Sequence, residues 1–402
     1  MVFRFLLLLL FVLSLGCEKQ SDDQVIEPKR ENSLLKLETK RASVIGINAK
    51  EHLAQRDFQK PETTTLTTFS EDIGTLASIS IFGLTADDIT SEEVFMKPEK
   101  PLFVAQSSAI HPSYLILTFD NDIFAETDYY YTNGFSVGLV HPIFNSGILR
   151  KILPDLGSNS LNTTGVRIHH FMFTPQNPEA IEIDPDDRPF AGVLLAEYFN
   201  LSQLMSRRIN IHASLRLGVI GKASMAQALQ TAMHQLEPTG WDDQIGNDLL
   251  INYDLGLEKL LFSGKFWQLS GMVEAGLGSY QTYGGAAFQL RIGLLNILSN
   301  SYLPELDNKT NSSKKNGSFW FFVQPAWHFV VHNASLNGGF LNKTNTHFFG
   351  HDEITNSLAR FSAGFSWHYR KLGLGIRWTH IGPEFKTAKN HNWGSMSLLY
   401  TL

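Results

Sequence analysis

From Tyr114 onward the chain alternates apolar residues with small or polar ones at a period of two, over segments longer than most soluble sheets use. Phe361, Ala363, Phe365, Trp367 and Tyr369 fall on one face of such a segment. In the next, Leu372, Leu374, Ile376 and Trp378 alternate with Gly373, Gly375 and Arg377. Met396, Leu398, Tyr400 and Leu402 repeat the pattern at the C-terminus. Successive side chains of a strand point to opposite faces, so each segment carries one apolar and one polar side. Lengths of roughly 9–13 residues suit a tilted strand that crosses a bilayer.

Twelve such segments can be counted, at about 114–122, 131–142, 164–174, 188–201, 207–219, 246–259, 266–278, 286–295, 318–331, 357–369, 372–381 and 392–402. An even count lets both ends of a bacterial barrel lie in the periplasm. The connections at 202–206, 262–265 and 370–371 are short and fall on one side by parity. Those at 175–187, 220–245, 332–356 and 382–391 are longer and fall on the other, the asymmetry of outer-membrane barrels. Two connections break the rule, because 143–163 and 296–317 are long yet land on the periplasmic side. The expectation is an all-β chain, a twelve-stranded antiparallel transmembrane β-barrel with a short helix in an extracellular loop. A large periplasmic β-sandwich would show the same alternation, but strand length and loop asymmetry favour the barrel.

Composition agrees. The net charge of −6 over 402 residues argues against a nucleic-acid partner, which requires a concentrated excess of Lys and Arg. Charged residues make up 18% of the chain, below the roughly 25% usual for soluble domains. At the N-terminus, Arg4, the apolar run Phe5 to Leu13 and the small residues before Cys17 read as a secretory signal peptide, residues 1–16. Leu-Ser-Leu-Gly-Cys resembles a lipobox, although Ser14 stands where such a motif usually has Leu, and ordinary cleavage before Cys17 fits as well. Residues 17–110 are rich in Glu, Lys, Thr and Ser without sustained periodicity, and read as a mostly disordered periplasmic extension. The barrel domain takes up 111–402, and a monomer is expected.

Parity places Asp120-Asn121-Asp122 at the outer end of the first strand, Thr132 at the start of the returning one, and the 220–245 connection on the same rim. Within that connection Ala223 to Leu236 is rich in helix formers and is closed by Pro238. Met225, Leu229, Ala232, Met233 and Leu236 form one apolar stripe, with Gln227, Gln230 and His234 opposite. Gln230 and His234 stack one turn apart. Asp and Asn are frequent in turns for local reasons, yet adjacent oxygen donors are also what a hard cation such as Ca²⁺ requires.

Leu-Thr-Phe-Asp-Asn-Asp-Ile-Phe (117–124) followed by Thr-Asp-Tyr-Tyr-Tyr-Thr-Asn-Gly (127–134) resembles the opening of the outer-membrane lipid A 3′-O-deacylase family, the LpxR type. Similar motifs follow in order: Asp187 to Gly192, the run 226–234 with Gly240-Trp241-Asp242-Asp243-Gln244, His332 to Gly338, and Pro383-Glu384-Phe385. The resemblance spans about 114–402. It implies a barrel that hydrolyses the 3′-linked acyloxyacyl ester of lipid A, within lipopolysaccharide, and depends on Ca²⁺. By motif position Asn121 and Asp122 match the Asn-Asp pair near the metal, Thr132 the active-site threonine, His234 the catalytic histidine and Gln230 the glutamine a turn before it. Some members use a Lys in the loop after the third strand; residues 175–187 hold none here, and the nearest cation is Arg188.

Other readings remain at this point. The outer-membrane phospholipase is also a twelve-stranded barrel, but its His-x-Ser-x-Gly pattern is not found. A porin-like barrel would have no need of Asp122 and His234 together. His347, His351 and Asp352 could form a transition-metal site, whereas adjacent His169 and His170 point to opposite faces of one strand and could not share a metal.

Overall fold

The computed structural model describes residues 113–122, 129–178, 184–233, 239–295, 299–304, 317–342 and 347–402. The signal peptide and the extension at 17–110 lie outside the described residues, as does His234. Twelve strands close on themselves: β1 (Tyr114–Asn121), β2 (Tyr130–Val140), β3 (Leu161–Thr174), β4 (Ala191–Leu204), β5 (Ile209–Ile220), β6 (Asp248–Ser263), β7 (Trp267–Gly278), β8 (Gln281–Leu294), β9 (Gly317–Asn333), β10 (Ser357–Tyr369), β11 (Leu372–Ile381) and β12 (His391–Thr401). Each strand pairs antiparallel with its neighbours, and β1 meets β12 from Tyr114↔Thr401 to Asn121↔Gly394. Closure leaves no unpaired strand edge facing hydrocarbon, where an unsatisfied backbone group would be costly. Among the described residues no helix is long and apolar enough to cross a membrane; the crossing is made by strands.

The alternation has the sense a membrane barrel requires. Ile168, Leu217, Ile251, Phe288, Phe321 and Phe329 are exposed on the outer face. The lumen carries charge in neutralising sets: Arg216 with Asp254 at 2.5 Å, Arg291 with Glu258, and Glu197 between Arg167 and His169. Strand starts shift where local chemistry overrides period. β8 begins at Gln281 rather than 286, because Gly284-Gly285, with no side chains to mark a face, still continue the ladder to β9. β4 begins at Ala191 rather than 188, since Arg188 to Phe190 belong to the preceding loop.

The two anomalous periplasmic connections have separate explanations. The first wraps the outside of the wall. Tyr198 donates to the Phe144 carbonyl at 2.6 Å, Thr164 to Asn145 at 3.2 Å, and the Leu156 N–H to Ser202 at 3.0 Å. The segment thus covers a polar patch, Thr164, Asn200 and Ser202, that would otherwise face lipid. The second enters the lumen. Tyr302 stacks on His212 of β5 with centroids 5.0 Å apart, the Ser301 N–H donates to Glu258 of β6 at 3.0 Å, and Ser366 of β10 donates to the Pro304 carbonyl at 2.6 Å. Residues 299–304 therefore span from one wall to the opposite one. Above them lies a lumenal cavity of about 540 Å³, lined in part by Asp120, Arg167, Glu274 and Arg360.

Candidate active site

Asp120 and Asn121 separate at the strand end. Ile116, Thr118 and Asp120 line the lumen, so Asn121 takes the outer face. Asp120 accepts a 2.7 Å hydrogen bond from the Tyr131 hydroxyl, inside the barrel. Gly134 is needed there, because a Cβ at that position would collide with the Tyr131 hydroxyl. Asp122 follows directly and is 1% exposed.

Thr132 reaches the outer face through a β-bulge. On β2 the register with β3 slips between Tyr131, paired with Phe173, and Asn133, paired with Met172. The extra residue in the bulge is Thr132, and bulges re-aim side chains in this way. Its hydroxyl lies 2.6 Å from that of Thr174 at the end of β3. Asn133 pairs across β1 with Asn121, so Thr132 sits one residue outward of Asn121 on the same side of the wall.

The helical loop lies against that side too. A single 3-10 turn, Lys222–Ser224, leads into α1 (Ala226–Met233). The expected start at Ala223 is displaced because Met225 adopts a left-handed conformation, φ 65°, that separates turn from helix. Gly192 on the outer face of β4 lets the loop approach; a Cβ there would collide with the Ser224 hydroxyl and with Ala226. His170, on the outer face of β3, contacts the Ser224 carbonyl through Nε2 at 3.0 Å. Ala226, Met172, Phe190 and Trp241 form one buried cluster between helix and wall. Gln230 is 8% exposed and accepts a hydrogen bond from the Trp241 indole N–H. α1 packs against β3 and β4.

The cation nearest the third loop is not free to meet a ligand. Arg188 is buried; it donates to Glu384 at 2.6 Å and Ser335 at 2.7 Å, and lies over the Phe173 ring at 4.5 Å. Burial pushes the Glu384 carboxyl up, but the Arg188 charge, His391 and the direct hydrogen bond hold it below its ordinary value. Asp187 accepts from the Gln176 N–H at 2.7 Å, and the Gln176 amide donates to the Tyr130 hydroxyl at 3.1 Å. Arg188 is thus a tie across the lumen mouth and no substitute for the loop lysine.

Residues 93–402 match the family model described as outer membrane protein LpxR. The chain belongs to the LpxR family. It is an outer-membrane β-barrel protein, of a Gram-negative bacterium. The structure of LpxR from Salmonella typhimurium shares the LpxR-family fold at a TM-score of 0.58 and 18% identity, covering 72% of this chain and 100% of that one. The β domain of the Bordetella autotransporter BrkA aligns at 9% identity and a TM-score of 0.37, over 72% of this chain and 98% of that one. The translocator domain of the autotransporter NalP from Neisseria meningitidis aligns at 10% and 0.36, over 72% and 89%. No curated protein sequence matches the chain.

In this LpxR-family barrel, then, the sequence motifs resolve onto the outside of the wall. Asn121, Thr132 and Gln230 come to the outer rim of β1–β4, while Asp120 is excluded to the lumen. Thr174, His170 and Trp241 belong to the same surface; Trp241 was named only as part of a motif and His170 only beside His169, while Thr174 was not singled out, because a strand hydroxyl gives no periodic signal. Among the described residues no group of three or more His, Cys, Asp or Glu is placed to hold a metal. His347 contacts the Asp187 carbonyl at 2.9 Å rather than pairing with His351. The donors at the rim, the Asp122 carboxylate and the Asn121 amide oxygen, are hard oxygens. They fit Ca²⁺, which fills its shell with carbonyls and waters, better than a transition metal.

Proposed function

We propose that this protein is a lipid A 3′-O-deacylase, a carboxylic ester hydrolase that removes the 3′-linked acyloxyacyl chain with the help of Ca²⁺. The observation that supports the reading is that Asn121 and Thr132 lie on the outer face of β1 and β2, while α1, with Gln230 turned toward the barrel, packs on the outer face of the neighbouring β3 and β4. A porin would need its polar groups in an open lumen, and here residues 299–304 cross it.

In this reading His234, four residues after the wall-facing Gln230, takes a proton from water as the water attacks the ester carbonyl. The C–O bond to the 3′ oxygen breaks, and His234 returns the proton to that alkoxide, leaving a 3′-hydroxyl and a free fatty acid. Asn121 and Asp122 would hold Ca²⁺, which when bound supplies Lewis-acid stabilisation of the developing oxyanion. Thr132, backed by the Thr174 hydroxyl, donates toward the substrate oxygens. Gln230, held by the Trp241 N–H, fixes the helix face that bears the base.

The test is mass spectrometry of lipid A incubated with refolded protein in detergent, with Ca²⁺ and with chelator. Loss of a 3′-acyloxyacyl group, abolished by chelation and by His234→Ala, is the expected result. Full activity of His234→Ala would overturn the mechanism, and release of glycerophospholipid chains from an otherwise intact lipid A would point to a phospholipase.

A further inference from the structure

A helix packed on a protein surface ordinarily turns its apolar stripe inward. α1 does the reverse. Ala226 and Gln230 face the wall, whereas Leu229 is 40% exposed with Ala228 and Ala232 exposed beside it, and Met225, just before the helix, is 66% exposed.

That stripe is continuous with the lipid-facing belt of the barrel. On β5 and β6 the belt rises through the cross-strand pair Leu217 and Ile251 to Leu249, which pairs with Val219 and is 65% exposed. Two residues past Leu249, the Asn247 side chain accepts from the Ala223 N–H at 2.8 Å, so the turn before α1 starts where the belt ends. On β3 the belt reaches Ile168, and two residues higher His170 holds the Ser224 carbonyl at 3.0 Å. At about 3.4 Å per residue, these anchors fix the loop roughly 7 Å above the last apolar pairs, the depth of the headgroup–acyl boundary. Lys222, Asp242 and Asp243 are exposed on the same loop, as charged neighbours of an interfacial helix are.

We infer that α1 is a lipid-docking element, its Leu229–Ala232 face, with Met225 just before the helix, seated in the outer-leaflet acyl layer. The docking is independent of the hydrolase reading; its consequence, that substrate arrives as a membrane-resident lipid by lateral entry and not as a monomer from water, rests on it.

The test uses the full chain carrying Cys17→Ser, with a single cysteine introduced as Leu229→Cys or Asp242→Cys and labelled with bimane. The labelled proteins are reconstituted into phosphatidylcholine vesicles brominated near the top of the acyl chains. The label at 229 is expected to be quenched by the bromolipid and shielded from aqueous iodide, and the label at 242 to show the opposite. Equal iodide access at both positions would overturn the docking. A second arm compares Leu229→Asp and Leu229→Phe, both checked for barrel folding by heat-modifiable migration. On lipid A in vesicles the Asp variant should lose activity several-fold and the Phe variant should retain it, while a dispersed short-chain ester is cleaved equally by both. Unchanged vesicle activity of Leu229→Asp would overturn the lateral route. Bromolipid quenching of the label at 229, alongside a wild type that cleaves no ester, would leave the docking standing and remove the hydrolase reading instead.

Discussion

The hydroxyls of Thr132 and Thr174 lie 2.6 Å apart on the outer face of β2 and β3, joined only because a bulge turns Thr132 out of the ladder. Only one of the two can donate within the pair, so the other is free to direct its hydrogen at a substrate oxygen. Thr174→Val keeps the shape and removes one partner. We expect lower deacylase turnover with little change in the amount of lipid bound, and a stability loss of only about 1 kcal/mol. Steady-state kinetics alongside thermal unfolding in detergent checks both, and unaltered turnover would remove Thr174 from the site.

Asp120 and Asp122 make a sharper pair to test. Asp120 is committed inside the barrel to Tyr131, whereas Asp122 follows the outward-facing Asn121. We expect Asp122→Asn to abolish Ca²⁺-dependent hydrolysis and Asp120→Asn to leave the Ca²⁺ dependence intact. Calcium titration of activity in the two variants decides it, and the reverse order would move the site into the lumen.

Gly192 permits contact between β4 and the turn before α1. Gly192→Val should force α1 off the wall at a local cost of about 1–3 kcal/mol, typical of overpacking. The barrel should still fold and migrate as a heat-modifiable species, while the loop becomes a protease target and hydrolysis is lost. Retained protection of the loop would show that the helix finds another seat.

The Arg188–Glu384 pair ties two extracellular loops over the lumen mouth. Arg188→Ala strands a buried carboxylate and should destabilise by about 3–5 kcal/mol. Because the folded-state carboxyl of Glu384 is held below its ordinary value, its contribution is full above that value and fades as pH falls through the depressed one. Melting curves from neutral to acid pH should therefore show a steeper acid loss in the wild type than in Glu384→Gln. Parallel curves would mean that the pair does not couple to unfolding.

The barrel was legible because a period-two pattern with one lipid-facing side has few other solutions, and the strand count and loop parity followed from it. Asn121, Thr132 and Gln230 were legible as motif positions, but their common face was not. The bulge at Thr132 adds one residue to a ladder, and nothing in Tyr-Thr-Asn-Gly announces where the register slips. The helix was visible within Ala223 to Leu236, yet which face it buries depended on Gly192 and Trp241, far from it in pattern terms. Ser299 to Pro304 lies in the connection 296–317, which stood out only by its length; its place across the lumen comes from partners on β5, β6 and β10, which local sequence does not encode.

That crossing segment has a consequence for the cell. An outer membrane excludes toxic amphiphiles and many antibiotics only as long as each protein inserted into it adds no leak. With Tyr302 against His212 on one wall and Pro304 against Ser366 on the other, the strut crosses the lumen, so the barrel is expected to add little leak to the barrier whose lipid it faces.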